Sequence, residues 1–375
     1  MDNVKVLLVK AEKSPHAGTE NLPPNKLYLH PNLSVAQRQL GPLQDGYIRV
    51  EMLYAGICGT DIQVIQTNPE TGHSMGSAPL VINEAGRVLG HEGVGRIVLA
   101  GAGVNHVGRG RYVTFESIIT CRVCEACRRG NYNQCEHASL LGMEQDGLFG
   151  TTVDVPAWLA HDVSDLAESD KGVMAAACIE PAACAHVAAA IARICPGDRV
   201  VIFGGGPIGY FAAMLCRDLF GASKIHLVEP VEFRRNFAQG WADHVYDVEE
   251  FHAAQLQHRL DVVIETSGIT RNIDRVFRRM GPNSRIVLLA RSGQPLPIHD
   301  VDHMITNNVS ISGSRGHLGG AFDDLLRLYR AGRLPLHDAV TSTIDGLESL
   351  RRSLEQPAVI LESNCKVLCD ITATG

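Results

Sequence analysis

A glycine-rich turn between a buried strand and a helix most strongly constrains the fold of this chain. The turn, Gly204-Gly205-Gly206-Pro207-Ile208-Gly209, follows an apolar run at 199–203 and precedes a helical pattern at 210–219. The G-x-G-x-x-G spacing in this context is typical of a βαβ unit that binds a dinucleotide, because the glycines allow a tight turn and let a pyrophosphate approach the helix N-terminus. Three glycines can also form a tight turn with no ligand, so the surrounding residues must distinguish a dinucleotide site from a simple turn.

Residues after this turn favour NAD as the dinucleotide. Glu229 ends the next predicted strand, where a carboxylate can accept hydrogen bonds from a ribose diol and would repel the 2′-phosphate of NADP. Arg234 and Arg235 follow closely, and either could hold that phosphate, so NADP is the alternative. The residues predicted to bind the cofactor are Gly204, Gly206, Pro207, Ile208, Gly209, Glu229 and Arg234.

The remaining apolar runs separate a strand-rich first part from an alternating second part. Runs at 46–52 and 93–99 alternate apolar and polar residues between glycines, which is typical of strands. Beyond about residue 180, strand-like runs at 225–228, 261–264 and 285–289 alternate with helical patterns. This alternation predicts a parallel sheet with right-handed crossover connections, and therefore an α/β fold.

A chain of 375 residues is long enough for roughly two to three domains. We expect a strand-rich domain at 1–182, a dinucleotide-binding domain with a doubly wound parallel sheet at 183–318, and a C-terminal segment at 319–375 that returns to the first domain. A strand at 364–369 would make that return.

Composition and charge exclude several classes of partner. The chain has 34 Lys and Arg against 41 Asp and Glu, a net charge of -7, which argues against nucleic acid or an anionic membrane as a partner. Its start lacks the pattern of a secretory signal, and the weakly charged stretch 172–192 is interrupted by Glu180, Pro181 and His186. These features favour a cytoplasmic protein.

Four of the 11 cysteines lie close together in a segment that we call the cysteine lobe, residues 118–136. They are Cys121, Cys124, Cys127 and Cys135. Two-residue gaps bring thiolates to one side of a turn, and four thiolates complete the tetrahedron that Zn²⁺ prefers, leaving no open position. We predict a structural zinc rather than disulfides; an iron–sulfur cluster or four unligated thiols are the alternatives.

A second set of metal-ligand residues is spread over three motifs. Cys58-Gly59-Thr60-Asp61, Gly90-His91-Glu92 and Glu180-Pro181 offer a thiolate, an imidazole and carboxylates. Taken singly, Cys58 would more often be a small buried hydrophobe and His91 a core histidine. However, a lone carboxylate in the apolar stretch around Glu180 is costly unless a cation compensates it, and a metal ion is a natural partner.

In this order, the motifs resemble those of the zinc-dependent medium-chain dehydrogenases, and most closely the branch that holds sorbitol, threonine and glucose dehydrogenases. The resemblance covers nearly the whole chain and includes the stretches 241–245 and 261–268. It implies a GroES-like catalytic domain followed by a Rossmann domain, with one catalytic and one structural zinc per chain. It also implies association as a homodimer or homotetramer, through the segment 309–313 or the cysteine lobe.

The same resemblance implies roles for the second set of residues. Cys58 and His91 would bind the catalytic zinc, and Glu92 and Glu180 would bind it directly or through water. Thr60 would hydrogen-bond the reacting oxygen and relay its proton, so the predicted catalytic residues are Cys58, Thr60, His91 and Glu92. Asp61 would orient the ligand histidine. The alternative for Thr60 and Asp61 is a simple turn or helix cap.

The implied reaction is oxidation of a secondary alcohol to a ketone or lactone, with hydride transfer to NAD. Glu180 stands where simple alcohol dehydrogenases tend to use a second cysteine, which favours a polyhydroxylated small molecule such as a polyol, sugar or cyclitol, including an aminocyclitol. The nearest alternative is an NADP(H)-dependent zinc carbonyl or enone reductase of the same family. A non-enzymatic reading, in which the lobe is an interaction module, fits the negative charge poorly.

Two departures from the family pattern matter. In several relatives a histidine lies two positions after the motif's aspartate and carries the proton to solvent; here that position is Gln63, which cannot titrate. This puts the threonine dehydrogenase subtype in particular doubt. The stretch 62–89 is also longer than expected, and we expect it either to overhang the substrate cleft or to be a surface insertion, with His73 exposed.

Overall fold

A computed structural model describes residues 3–15, 26–317 and 320–373. The strands are β1 (Asn3–Lys13), β2 (Tyr28–Gln39), β3 (Tyr47–Gly56), β4 (Arg87–Val88), β5 (Glu92–Ala100), β6 (Tyr112–Phe115), β7 (Ile118–Ile119), β8 (Ser139–Leu140), β9 (Thr152–Pro156), β10 (Ala160–Asp162), β11 (Arg199–Phe203), β12 (Lys224–Val228), β13 (His244–Tyr246), β14 (Leu260–Glu265), β15 (Met280–Leu288), β16 (Ser310–Gly313), β17 (Val340–Asp345) and β18 (Lys366–Asp370). The α-helices are α1 (Gly59–Ile65), α2 (Glu125–Arg128), α3 (Asp170–Ala177), α4 (Ile179–Ile191), α5 (Pro207–Asp218), α6 (Glu232–Ala238), α7 (Val248–Ala253), α8 (Arg271–Phe277), α9 (Val301–Thr306), α10 (Ala321–Arg330), α11 (Gly346–Glu355) and α12 (Ala358–Ser363).

The described residues form two compact units. The first takes those within Met1–Glu180, Val340–Ile360 and Lys366–Gly375, and the second those within Pro181–Ala339 and Leu361–Cys365. The sequence predicts that the chain returns to the first unit from residue 319, but in the structure this return begins at Val340. The reason is that α10 buries Phe322, Leu325 and Leu326 in the second unit, so this helix belongs to the dinucleotide-binding part of the chain.

The first unit is built on antiparallel strands. β1 and β2 form a long hairpin beside β4, and a second sheet has the order β10-β6-β5-β3-β18-β17, with β9 also paired to β3. β18 runs antiparallel to β3, with Leu368 opposite Gly56, as the predicted closing strand requires. Because β5, β3 and β18 are adjacent, the last residues of β3 lie beside the first residues of β5 and β18, at one end of these three strands.

The second unit contains six parallel strands in the order β13-β12-β11-β14-β15-β16. Counted within this unit, the order is 3-2-1-4-5-6, the doubly wound topology of dinucleotide-binding domains. β11 and β14 are almost completely buried, as expected for central strands covered by helices on both faces. The predicted fold class, an α/β chain with a strand-rich domain and a Rossmann domain, is therefore confirmed.

The stretch 62–89 packs against the long hairpin. Isolated bridges join Leu29 to His73 and Thr67 to Ser74, and the ring Nε2 of His73 lies 3.0 Å from the backbone oxygen of Ser14. His73 is only 5% exposed, so the expectation of an exposed loop residue is wrong. The bridges explain the difference, since they draw this turn-rich segment onto strands that a sequence pattern does not show to be neighbours.

No single helix among the described residues is long and apolar enough to cross a membrane. α3 and α4 pass that test only as a pair, and they are bent by 51° at the break between them. Most of their apolar residues, including Ala176, Ala182 and Ala185, are buried within the protein.

Candidate metal centres and dinucleotide site

Asp61 links the two loops that carry Cys58 and His91. Cys58 is the N-cap of α1, and its backbone N–H donates to Asp61 Oδ2 at 3.1 Å. The other carboxylate oxygen, Oδ1, accepts from the backbone N–H of Gly90 at 3.3 Å and lies 3.7 Å from His91 Nδ1. Asp61 is completely buried, and this burial raises the pKa of its carboxyl, against the opposing effect of His91. The structure thus places Asp61 where it can orient the imidazole.

The backbone before His91 depends on close packing between glycines. Gly90 has φ of +90°, and a Cβ at this position would collide with the ring of Phe149. A Cβ on Gly142 or on Gly147 would in turn collide with the backbone of Gly90. Glycine at these three positions therefore fixes where His91 can lie.

Cys58, His91 and Glu92 form a compact group of possible metal ligands. One ligand atom from each lies within 4.8 Å of the other two. Burial lowers the pKa of His91, but the Asp61 and Cys58 side chains outweigh it and hold that pKa well above the usual value. A thiolate, an imidazole and a carboxylate are donors that suit Zn²⁺, and three protein ligands leave a position for substrate. The residues present therefore fit a catalytic zinc.

Glu180 lies near this group but outside the set of atoms within 4.8 Å. It is 5% exposed, and its Oε1 accepts a hydrogen bond from Ser117 Oγ at 2.7 Å. Burial and, to a smaller degree, the Glu92 carboxylate raise the pKa of Glu180 to about 7, although His91 lowers it. Ser117 was not predicted from the sequence, since a serine in a turn carries no signal of its own.

Lys366 is a second residue of the site that sequence reasoning missed. Its Nζ forms a buried ion pair with Glu92 Oε2 and donates to the backbone oxygen of Ile57 at 2.9 Å. Burial lowers the pKa of Lys366, but Glu92 and, to a smaller degree, Cys58 raise it above its usual value, so the side chain stays an ammonium. The only sequence signal was a lysine beside an otherwise apolar run.

The Thr60 hydroxyl lies beside the possible metal ligands. Its Oγ1 is 3.7 Å from Cys58 Sγ, and the side chain is partly exposed at the start of α1. This position leaves the hydroxyl available to a substrate oxygen at the same group.

The four cysteines of the lobe come together as the spacing predicts. Their sulfur atoms all lie within 4.8 Å of one another, and all four thiols are free. Backbone N–H groups point at the sulfurs: Cys124 N–H donates to Cys121 Sγ at 3.3 Å, and His137 N–H donates to Cys135 Sγ at 3.3 Å. Backbone N–H groups of Cys127 and Glu136 also lower the pKa of Cys124 to about 6, which favours a thiolate there. The group fits a closed four-sulfur zinc site.

The glycine-rich turn has the shape that a pyrophosphate needs. Gly204 has φ of +101°, and a Cβ on Gly209 would collide with the Gly204 carbonyl oxygen, so both positions require glycine. Gly206 is the N-cap of α5 with Pro207 in its first turn, and a Cβ there would meet only Arg234 Nη1, at 3.8 Å. The N-terminus of this twelve-residue helix is therefore open to an anion.

Glu229 is held in place at the end of β12 by backbone N–H groups. Its Oε2 accepts from Gly205 N–H at 2.6 Å and its Oε1 from Val231 N–H at 2.9 Å. An ionised carboxylate has further lone pairs, so it can still accept hydrogen bonds from a ribose. Arg234 donates through Nε to the backbone oxygen of Asn364 at 2.9 Å, and Arg235 donates to the backbone oxygens of Glu229 and Pro230.

Comparison with known proteins decides the family. Residues 44–165 match the alcohol dehydrogenase GroES-like domain, and residues 207–331 match the zinc-binding dehydrogenase family. The chain is 32% identical over 311 residues to scyllo-inosose 3-dehydrogenase of Thermotoga maritima, covering 76% of this chain and 77% of that protein. The chain belongs to the zinc-dependent medium-chain dehydrogenase family.

Other members of this family extend the match over most of the chain. L-Threonine 3-dehydrogenase of Pyrococcus horikoshii is 28% identical over 320 residues, which are 83% of this chain and 87% of that protein. A solved structure from Thermotoga maritima, assigned provisionally as an alcohol dehydrogenase, superposes with a TM-score of 0.87 at 27% identity and covers 98% of this chain and 99% of its own. As a member of this family, the protein is an oxidoreductase of the zinc-dependent alcohol dehydrogenase type.

Proposed function

We propose that this medium-chain dehydrogenase oxidises a secondary alcohol of a polyol, sugar or cyclitol to a ketone or lactone and reduces NAD. The observation that carries the proposal is the group formed by Cys58, His91 and Glu92, whose ligand atoms lie within 4.8 Å of one another beside the buried Glu180 carboxylate. When bound, a catalytic zinc polarises the substrate hydroxyl and the nicotinamide accepts the hydride.

The chain's own residues prepare this chemistry. Cys58 and His91 are the metal ligands in the proposal, with Glu92 and Glu180 as carboxylates that bind the metal directly or through water. Asp61 keeps the His91 imidazole oriented, because its Oδ1 lies 3.7 Å from His91 Nδ1 while it also accepts the Gly90 N–H. In the proposal, Thr60 Oγ1, next to Cys58 Sγ, accepts the proton that the substrate hydroxyl loses while it passes its own hydroxyl proton on towards solvent.

A polyhydroxylated substrate is favoured by the carboxylates at the site. Glu92 and Glu180 are both buried there, and carboxylate oxygens can accept hydrogen bonds from several hydroxyl groups of one substrate. The relative of Thermotoga maritima at 32% identity is named for scyllo-inosose, a cyclic polyhydroxylated ketone. We therefore place cyclitols, including aminocyclitols, first among the candidates.

NAD is the proposed cofactor, held by the turn from Gly204 to Gly209 and by Glu229. The Glu229 carboxylate lies beside Gly205, so a 2′-phosphate would bring a second negative charge to the same place. Arg234, whose Nη1 would lie 3.8 Å from a Cβ on Gly206, is the residue that could favour NADP instead.

The proposal includes two zinc ions per chain and a homo-oligomer. The second zinc is structural and is bound by the four cysteines of the lobe. A homodimer or homotetramer is supported by β16, the last strand of its sheet, which pairs only with β15 among the described residues, and by Ile305 of α9, which is 72% exposed. An exposed strand edge and apolar side chains are features that a second copy can cover.

A substrate screen tests the proposal directly. The purified protein, loaded with zinc, is assayed against polyols, sugars, cyclitols and L-threonine, with NAD and NADP in parallel and absorbance at the nicotinamide band as the readout. We expect NAD reduction with a polyhydroxylated substrate, and none in the Cys58→Ser variant. The exposed Cys195 provides the matched control, since Cys195→Ser removes a thiol that belongs to neither group of metal-ligand residues.

Other outcomes of the screen would replace the proposal. Turnover of L-threonine alone would assign the activity for which the Pyrococcus horikoshii relative is named, in spite of Gln63. A strong preference for NADPH with carbonyl or enone substrates would instead assign a reductase of the same family.

A further inference from the structure

Lys366 joins the candidate metal site through a buried charge that the family motifs do not include. It begins β18 and is 1% exposed. Among the described residues, its ammonium donates to two acceptors, the Glu92 carboxylate and the Ile57 carbonyl. Glu92 is at the same time one of the three residues whose ligand atoms lie within 4.8 Å of one another. One carboxylate is therefore within reach of both a permanent cation and the metal position.

Gly56 makes this arrangement possible. A Cβ on Gly56 would lie 2.5 Å from Glu92 Oε2 and 2.9 Å from Lys366 Nζ. Both distances are shorter than real contacts of a Cβ atom, so any other residue at position 56 would require the ends of the Glu92 and Lys366 side chains to move. Gly56 has no positive φ, which means that the glycine is needed here for space and not for backbone conformation.

We propose that Lys366 is a positioning residue that competes with the catalytic metal for Glu92 and so keeps one coordination position exchangeable. A buried carboxylate with no other cation would bind the metal tightly, because an uncompensated charge in this environment is costly. With Lys366 present, Glu92 can leave the metal and still be paired. The inference rests on the proposed function, since it assumes a metal at Cys58 and His91.

The competing explanation is that Lys366 only neutralises Glu92 and stabilises the fold. Both explanations predict that loss of the lysine lowers stability. They differ in what happens to the metal: a structural lysine would leave metal release unchanged or make it faster in a loosened site, whereas a competing lysine slows metal release when it is removed. The direction of the change therefore separates the two.

The test measures zinc release to a chelator from the full-length protein without substrate. Release from the catalytic site is the kinetic phase that is absent from Cys58→Ser. We expect Lys366→Met, which keeps the length of the side chain but not its charge, to slow this phase by about tenfold or more. The reason is that the metal is then the only cation paired with Glu92 and no longer has a positive charge nearby. In the assay of a polyhydroxylated substrate, kcat should fall, since Glu92 then occupies the exchangeable position.

A second pair of variants guards against misfolding and establishes the partner. Glu92→Gln should speed release, and adding Lys366→Met to Glu92→Gln should have no further slowing effect, because the carboxylate under competition is gone. The matched control is Arg49→Met, which breaks another ion pair of the first unit, with Asp154, and touches no candidate ligand. It should lower thermal stability and leave zinc release as it is.

The outcomes separate this inference from the proposed function. Unchanged or faster release in Lys366→Met, or equal slowing with and without the Glu92 carboxylate, would overturn the role of Lys366 even in a protein that oxidises polyols. Slower release that depends on Glu92 supports the role of Lys366, even if the substrate screen finds no polyol oxidation and the proposed function fails.

Discussion

The two groups of metal-ligand residues in this protein are assembled in opposite ways. The cysteine lobe takes all four thiols from residues 121–135, and the backbone N–H groups of Cys121 and Cys124, in the same short segment, point at the sulfurs. The other group takes Cys58 from the start of α1, and His91 and Glu92 from the start of β5. It adds Lys366, whose hydrogen bond to Ile57 joins residues 309 positions apart. The first group is local in sequence, and the second exists only in the folded chain.

This difference matches the chemistry that each group can perform. Four thiolates fill the coordination of Zn²⁺, so the lobe can stabilise structure but cannot bind a substrate. The mixed group has three close donors and, in Glu92 and Glu180, carboxylates with other partners nearby: Lys366 for the first and Ser117 for the second. A site with ligands that have alternative partners can exchange them, which catalysis requires and a structural site does not.

The largest expected effect is from Cys58→Ser. Loss of this thiolate should reduce turnover by at least about 10³-fold, because the metal that polarises the substrate is no longer held. Metal analysis should show one zinc fewer per chain, with the lobe zinc retained. Normal zinc content together with normal turnover would break the distinction between the two groups.

Thr60→Val should have the next largest effect. The methyl group replaces the hydroxyl that lies 3.7 Å from Cys58 Sγ, so proton relay is lost and kcat should fall by about 10²-fold or more. Binding of NAD, measured by calorimetry, should not change. Thr60→Ser, which keeps the hydroxyl, is the control; a Val variant as fast as the Ser variant would remove Thr60 from the relay.

Asp61→Asn should have a smaller effect, on metal affinity and rate together. An amide cannot attract the His91 imidazole as the carboxylate does. Loss of a residue that orients a metal ligand usually lowers metal affinity or activity by about 10- to 100-fold. Competition with a zinc chelator measures the affinity. Asp154→Asn, which disturbs an ion pair away from the site, is the control, and an equal loss of affinity in both variants would contradict the role of Asp61.

The smallest effect on turnover is expected from Cys124→Ser in the lobe. Molecules that remain folded should keep their rate within about twofold, because the two groups share no ligand and sites without shared partners act nearly independently. Thermal stability should fall by about 5 °C or more, since a structural metal site contributes directly to folding free energy. A loss of rate as large as that of Cys58→Ser, at full stability, would show that the two groups are not separate.

Much of the fold was predictable because its signals are local. Alternation of strand and helix patterns after residue 180 predicted the parallel sheet, and the structure has it in the order β13-β12-β11-β14-β15-β16. The boundary at 319 was wrong because α10 looks the same whichever unit buries its apolar face. His73 was expected to be exposed because its segment is rich in turn residues. It is buried in the structure, where a bridge joins it to Leu29 of β2.

The sequence by itself determined which donors are available and how the lobe and the glycine-rich turn are built, since spacings of two or three residues fix geometry over a single turn. Only the tertiary structure decided that Lys366 forms an ion pair with the Glu92 carboxylate and that Ser117 donates a hydrogen bond to the Glu180 carboxylate. The physical reason is that a buried charge must be compensated by whichever residue packing brings to it. For Glu92 that residue is Lys366 of β18, which lies beside β3 in the same sheet.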